Sequence, residues 1–175
     1  MLLTNQQKFL LDILKRLGCV RERQLISLIR PVFCRQRPDI APALVASSMR
    51  QLLRGDFGLR REGDVFLGRG AEANPALLES VDVMLELSAD APSSYRTAPP
   101  PALLRFSVPD RNSPGAFLVA RYGDDAARME PIAEERIILL FDGRGRPDPL
   151  PVSNKQFFTV RLENGKHRFF ALDGP

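Results

Sequence analysis

The sequence predicts an α+β protein in two parts: a small helical module ending in a β-hairpin, then a domain of one helix and a mixed or antiparallel sheet. Three observations predict it. Apolar residues recur at helical spacing up to residue 54 and again over 75–87, and at strand spacing beyond 103. Charge divides between the two parts: residues 1–70 hold thirteen Lys and Arg against six acids, a balance of +7, whereas residues 71–175 hold twelve against fifteen, a balance of −3. With 44% apolar and 26% charged residues, the chain has the composition of a folded globular protein rather than a disordered one. The expected domains are 1–70 and 71–175.

Thr4 is placed to cap a first helix, in which Phe9, Leu10, Ile13, Leu14 and Leu17 form one apolar stripe and Gly18 ends it. After a short extended piece around Val20, a second helix runs from Arg21 to Ile29 with Leu25, Leu28 and Ile29 inward. Pro31 is expected to stop it. A basic connection, Val32 to Arg37, leads to Asp39 and Pro42, which suit the cap and first turn of a third helix. Val45, Met49, Leu52 and Leu53 line one side of that helix, leaving Ser47, Arg50 and Arg54 on the others. Leu59 to Glu62, the turn Gly63 and Asp64, and Val65 to Gly68 then form a hairpin that carries Arg60 and Arg61, with Arg69 just past it.

In the second part, Asn74 and Pro75 open a helix to Leu87 with a wide apolar surface and with Glu79, Asp82 and Glu86 as its polar face. Ala89 to Pro101 contains Pro92, Ser93, Ser94, Pro99, Pro100 and Pro101, which reads as an extended or mobile connection that cannot be helical. Strands follow over Leu103–Val108, Ala116–Tyr122 and Arg136–Phe141, the last apolar enough for a sheet centre. Pro109 to Gly115 is the turn between the first two, and Asp124–Ala133 holds a short helix. Lys155–Leu162 and His167–Leu172 close the chain as a hairpin bent at Asn164 and Gly165.

Three short helices followed by a basic hairpin is the order of a winged helix, which lays its third helix in the DNA major groove. Met49 to Gly55, followed by Phe57 to Gly63, resembles the passage from recognition helix into wing, and Arg23 to Ile29 is similar to the second helix of winged modules in bacterial replication-relaxation proteins and related mobile-element families. The likeness covers residues 4–70. Asp56, Phe57 and Gly58 depart from it by lengthening the turn before the wing. The resemblance implies a DNA-binding regulator or accessory factor of a mobile element, with Ser47, Arg50 and Arg54 near base edges and Arg35, Arg37, Arg60, Arg61 and Arg69 near phosphates.

The expected partner is therefore double-stranded DNA. A homodimer or another protein is expected to dock through the 75–87 helix or the C-terminal sheet, because pairing two modules adds their DNA contacts. The alternatives are an adaptor that uses the winged helix to dock a protein, and a divergent nuclease. Nuclease sheets that follow winged helices carry a carboxylate on one strand and an acid-x-lysine pair on the next, whereas Phe117 to Tyr122 holds neither acid nor lysine. No enzyme activity, cofactor or metal is expected. Most of the acids near strand ends (Asp110, Asp124, Asp125, Glu130, Glu134, Glu135, Asp142) read as solvated loop residues, with Asp124 and Asp125 the capped start of a helix and Glu134 and Glu135 a charged lead into a buried strand.

Cys19 and Cys34 lie outside any CxxC motif and read as small core residues; His167, beside Lys166 and Arg168, reads as a solvated strand-end residue. Gly143 to Arg146 lacks the lysine and hydroxyl residue of a phosphate loop and reads as a turn. No apolar run approaches the about 20 residues of a membrane helix, and Met1 to Gln7 has no leader pattern, so the expected location is the cytoplasm.

Overall fold

A computed structural model describes residues 2–109 and 115–172. The fold is α+β, with four α-helices and two sheets among the described residues, and the chain divides into two compact units, Met1–Leu78 and Glu79–Pro175.

The first unit begins with α1 (Asn5–Leu17), whose start is closed reciprocally: the Gln7 amide donates to Thr4 Oγ1 at 3.2 Å, and the Thr4 amide donates to Gln7 Oε1 at 2.9 Å. Leu10, Ile13, Leu14 and Leu17 are buried as the periodicity predicts. Cys19–Arg21 forms β1, and α2 (Glu22–Phe33) follows directly. Pro31 does not stop this helix. It lies in the last turn, where few hydrogen bonds remain to be lost. Continuing to Phe33 sets that ring edge-on to Phe9 with centroids 5.5 Å apart and brings Cys34 into the core. Asp39 likewise is not the cap of the third helix: it sits in a single 3-10 turn, Pro38–Ile40, that runs straight into α3 (Ala41–Arg54). The buried residues of α3 are Ala41, Val45, Ser48, Met49 and Leu52.

The hairpin is β2 (Arg60–Glu62) and β3 (Val65–Leu67). Gly63 at φ +60° opens its two-residue turn, a conformation that a side chain would strain. β1 pairs antiparallel with the far side of β3, Cys19 opposite Leu67 and Arg21 opposite Val65, giving a three-stranded sheet in the order β1-β3-β2. Gly68 continues this contact, its amide donating to the Gly18 carbonyl at 2.7 Å, and a Cβ there would come within 3.1 Å of the Leu14 carbonyl oxygen.

Helix α4 (Pro75–Leu87) is capped as expected, the Leu77 amide donating to Asn74 Oδ1 at 3.1 Å. Leu77, Leu78, Ser80, Val81, Asp82, Val83 and Met84 are all buried. Asp82 therefore leaves the polar face on which the sequence placed it. Such burial nearly all round is what a helix with so few polar positions requires.

The second unit is built on a six-stranded sheet whose order follows the chain: β4 (Ser94–Thr97), β5 (Ala102–Val108), β6 (Gly115–Arg121), β7 (Arg136–Leu140), β8 (Gln156–Arg161) and β9 (His167–Leu172). β6, β7 and β8 are mutually parallel neighbours and the other pairs are antiparallel, so the sheet is mixed. β4 corrects the reading of Ala89–Pro101 as connection alone. It is a short edge strand, and the prolines fall outside its ladder, at Pro92 before it and Pro99 after it, where no amide donor is missed. The short helix over 124–133 is a 3-10 turn, Asp124–Arg128. The turn residues 110–114 lie outside the described residues.

One core of this unit gathers Leu118, Ala120, Ile137, Leu139 and Phe158 from the sheet, with Ala126, Met129 and Leu150 from the connections. Gln156, buried in β8, fixes the last of these: its Oε1 accepts from the Leu150 amide at 2.7 Å and its Nε2 donates to the Leu150 and Val152 carbonyls. Among the described residues, no helix is long and apolar enough to cross a membrane.

The reciprocal cap at Thr4 gives a direct check on the first unit. Thr4→Ala should lower its stability by about 1 kcal/mol, measured by chemical denaturation, because one amide of the first turn loses its acceptor.

Candidate nucleic-acid interface and a buried histidine

Helix α3 presents Ser47, Arg50 and Arg54 on one exposed stripe, spaced by three and four residues and opposite the buried residues. Ser47 Oγ donates back to the Leu44 carbonyl at 3.1 Å. Arg50 and Arg54 have no ion-pair partner among the described residues, and the same holds for Arg69, exposed just beyond β3. The aliphatic part of Arg69 lies over Gly58, where an added Cβ would meet its Cγ at 2.9 Å. The unusual turn at Asp56 to Gly58 thus makes room for that side chain.

The remaining candidates are placed differently. Arg60 and Arg61 are consecutive on β2 and so point to opposite faces of the sheet. Arg60 donates to the Ala71 carbonyl at 2.8 Å and lies 3.9 Å from Glu62. Arg61 is held three ways: Nη2 pairs with Glu22 at 2.9 Å, Nε donates to the Gly63 carbonyl at 2.8 Å, and its guanidinium carbon stands 5.1 Å from the centre of the Phe66 ring. Beside it, Arg21 pairs with Asp64 at 3.3 Å, while the Glu22 amide donates to the Asp64 carbonyl. The hairpin tip is thereby tied to the start of α2.

Arg35 and Arg37 are exposed in the link before α3, and Arg37 pairs with Asp39 at 3.5 Å. They flank the start of a fourteen-residue helix whose end carries Arg54, so the two groups are separated by about 20 Å along its axis. The structure therefore brings Ser47, Arg50 and Arg54 onto one stripe, separates Arg60 from Arg61, and leaves Arg35 and Arg37 at the opposite end of α3.

In the second unit, His167 is not the solvated residue its neighbours suggest. Its side chain is wholly buried. Nδ1 lies 2.9 Å from Glu86 Oε1 and Nε2 lies 3.2 Å from Glu79 Oε1, and the His167 backbone amide donates to Glu86 Oε2 at 2.9 Å. Burial by itself opposes a charge on the ring, but the hydrogen bonds and charges of Glu79 and Glu86 outweigh it and raise the pKa above 6.5. The bond from His167 correspondingly lowers the Glu79 carboxyl below 4.5, against the opposing effect of burial. Glu79 and Glu86 are seven residues apart on α4, two turns along one face, which is the separation that brackets a ring. Nothing in the local sequence around either glutamate points to a histidine some eighty residues later.

The two carboxylates occupy opposite ring nitrogens and so do not converge on a common point. Among the described residues, no group of three His, Cys, Asp or Glu side chains could hold a metal ion. Glu135 also departs from its expected place in a solvated lead: it is buried, and both carboxylate oxygens engage Arg105, at 2.5 and 3.3 Å, while Oε2 accepts from the Ile132 amide. Asp142 pairs with Arg121 at 2.6 Å and Asp125 with Arg128 at 3.2 Å. Asp110 lies outside the described residues. Cys19 and Cys34 are free and buried as expected, and burial pushes the Cys19 thiol up.

Comparison with protein-family models, with curated proteins and with solved structures returns no match.

The placement of Arg61 leads to a measurable coupling. In a double-mutant cycle, Arg61→Gln and Glu22→Gln should be non-additive by about 0.5 kcal/mol in chemical denaturation, the size expected of a partly exposed pair. Arg50→Gln and Glu22→Gln should add within error.

Proposed function

We propose that the first unit is a winged helix that binds double-stranded DNA, with α3 entering the major groove and the second unit serving association. The order α1, β1, α2, α3, β2, β3, with β1 paired to β3, supports this reading, since a winged helix likewise runs through three helices into a hairpin wing. The observation that carries it is the exposed stripe of Ser47, Arg50 and Arg54 on α3. Its two arginines are not neutralised by an ion pair among the described residues, and they belong to a segment with a +7 balance. Guanidinium groups left unpaired on a helix face match both phosphate oxygens and the acceptor edge of guanine.

Within this reading the candidates separate by role. Arg50, Arg54 and Arg69 are the principal cationic contacts, with Ser47 beside them. Arg60 and Arg37 contribute only by leaving their present partners. Arg61 holds the hairpin in place. Leu77, Leu78, Val81, Val83 and Met84 of α4 are already buried, so the association surface falls to the sheet of the second unit rather than to this helix. β9 is its longer edge strand, with Phe170 38% exposed.

The test is binding to duplex DNA as a function of salt. The wild-type chain should lose affinity steeply as salt rises, and Arg50→Gln or Arg54→Gln should each reduce the slope of log affinity against log salt by about 1 if the residue meets a phosphate. Loss of sequence preference with an unchanged slope would instead mark a base contact. A wild-type chain without salt-dependent DNA binding would overturn the proposal.

A further inference from the structure

The His167 cluster has a feature that a structural hydrogen bond alone does not require. Both ring nitrogens face carboxylate oxygens, which only accept when ionised, so with both carboxylates ionised each nitrogen carries a proton. The ring is then an imidazolium. Its side chain is wholly buried, whereas those of Glu79 and Glu86 are 28% and 27% exposed.

We infer that His167 is a proton-operated pin between α4 and β9, closed while the ring is charged and loosened when it loses a proton. The charges around it define how it works. Glu79 and Glu86 face it from α4, Arg161 stands opposite it on β8, and Asp142, after β7, acts on Glu79 with the opposite sign to Arg161. With the ring charged, two carboxylates share one internal cation, and Glu79 also feels the neighbouring Arg161. With the ring neutral, one nitrogen becomes an acceptor, and the carboxylate facing it meets a lone pair on a buried ring. That contact is repulsive, and it is relieved when the carboxylate and the turn of α4 that carries it move outward.

The direction of the pH dependence follows from the two shifts. The His167 pKa is raised in the folded state, so its contribution to stability is fully present below 6.5 and is lost as pH rises through the folded value. The Glu79 pKa is lowered, so its contribution is present above 4.5 and is lost as pH falls through its folded value. The pin is therefore fully made between about pH 4.5 and 6.5, and it loosens on the alkaline side.

Two measurements on the full chain test this. Nitrogen-15 NMR of the imidazole at pH 6 should show both ring nitrogens protonated, with a titration midpoint above 6.5. Amide exchange, corrected for its intrinsic pH dependence, should show protection over residues 81–87 falling several-fold as the ring titrates. His167→Gln should remove that pH dependence. Should it fail to fold, Glu86→Gln provides the second variant: it keeps the shape of the side chain but removes one charge, and should move the ring's midpoint down. A ring with one unprotonated nitrogen at pH 6 would overturn the inference, as would protection over 81–87 that stays constant through the titration.

Discussion

The first unit depends on a strand of three residues. Cys19–Arg21 leaves α1 and lies against β3, so the hairpin is not a free flap but the outer part of a sheet with one side in the core. Val20, Phe66 and Leu67 are each at most 1% exposed, which puts this pairing in the same apolar interior as α1, α2 and α3. Pairing also fixes the hairpin relative to α2, since Arg21 ends β1 and Glu22 begins the helix. Three long-range contacts then follow from one alignment: Arg21 to Asp64, Arg61 to Glu22, and the Glu22 amide to the Asp64 carbonyl.

Buried polar side chains join the segments that apolar packing alone would leave free to slide. Gln7 caps its own helix and donates to Gln51 on α3 at 2.6 Å. Gln24 accepts from the Arg21 amide and donates to the Leu78 carbonyl at 2.7 Å, tying the start of α2 to α4. Glu135 holds Arg105 of β5 from the approach to β7, and His167 holds α4 to β9. An apolar contact tolerates a shift of an ångström, whereas a buried hydrogen bond left unmade costs about 1–3 kcal/mol. These residues therefore specify register more than they add net stability.

The helices of the first unit were legible because each writes its burial into local spacing. Leu10, Ile13, Leu14 and Leu17 mark the inner face of α1, and Val45, Met49 and Leu52 mark that of α3, leaving Ser47, Arg50 and Arg54 outside. The strands β5 to β9 were legible for the same reason, at the shorter period. Local chemistry misled where its effect was small next to tertiary packing. Pro31 is a helix breaker by propensity, but Phe33 and Cys34 find partners beyond it. The prolines around residues 94–97 hid an edge strand because a strand needs amides only along its ladder.

By itself the sequence determined the α+β class, the order and approximate ends of most elements, the charge division between the two parts, and the exposed arginine stripe on α3, all properties of neighbours along the chain. Only the tertiary structure decided that Arg61 is spent on Glu22 while Arg50 and Arg54 are not, and that His167 is enclosed by Glu79 and Glu86. The availability of a charge depends on which opposite charge folding brings within about 4 Å, and residues forty or eighty positions apart carry no local sign of that meeting.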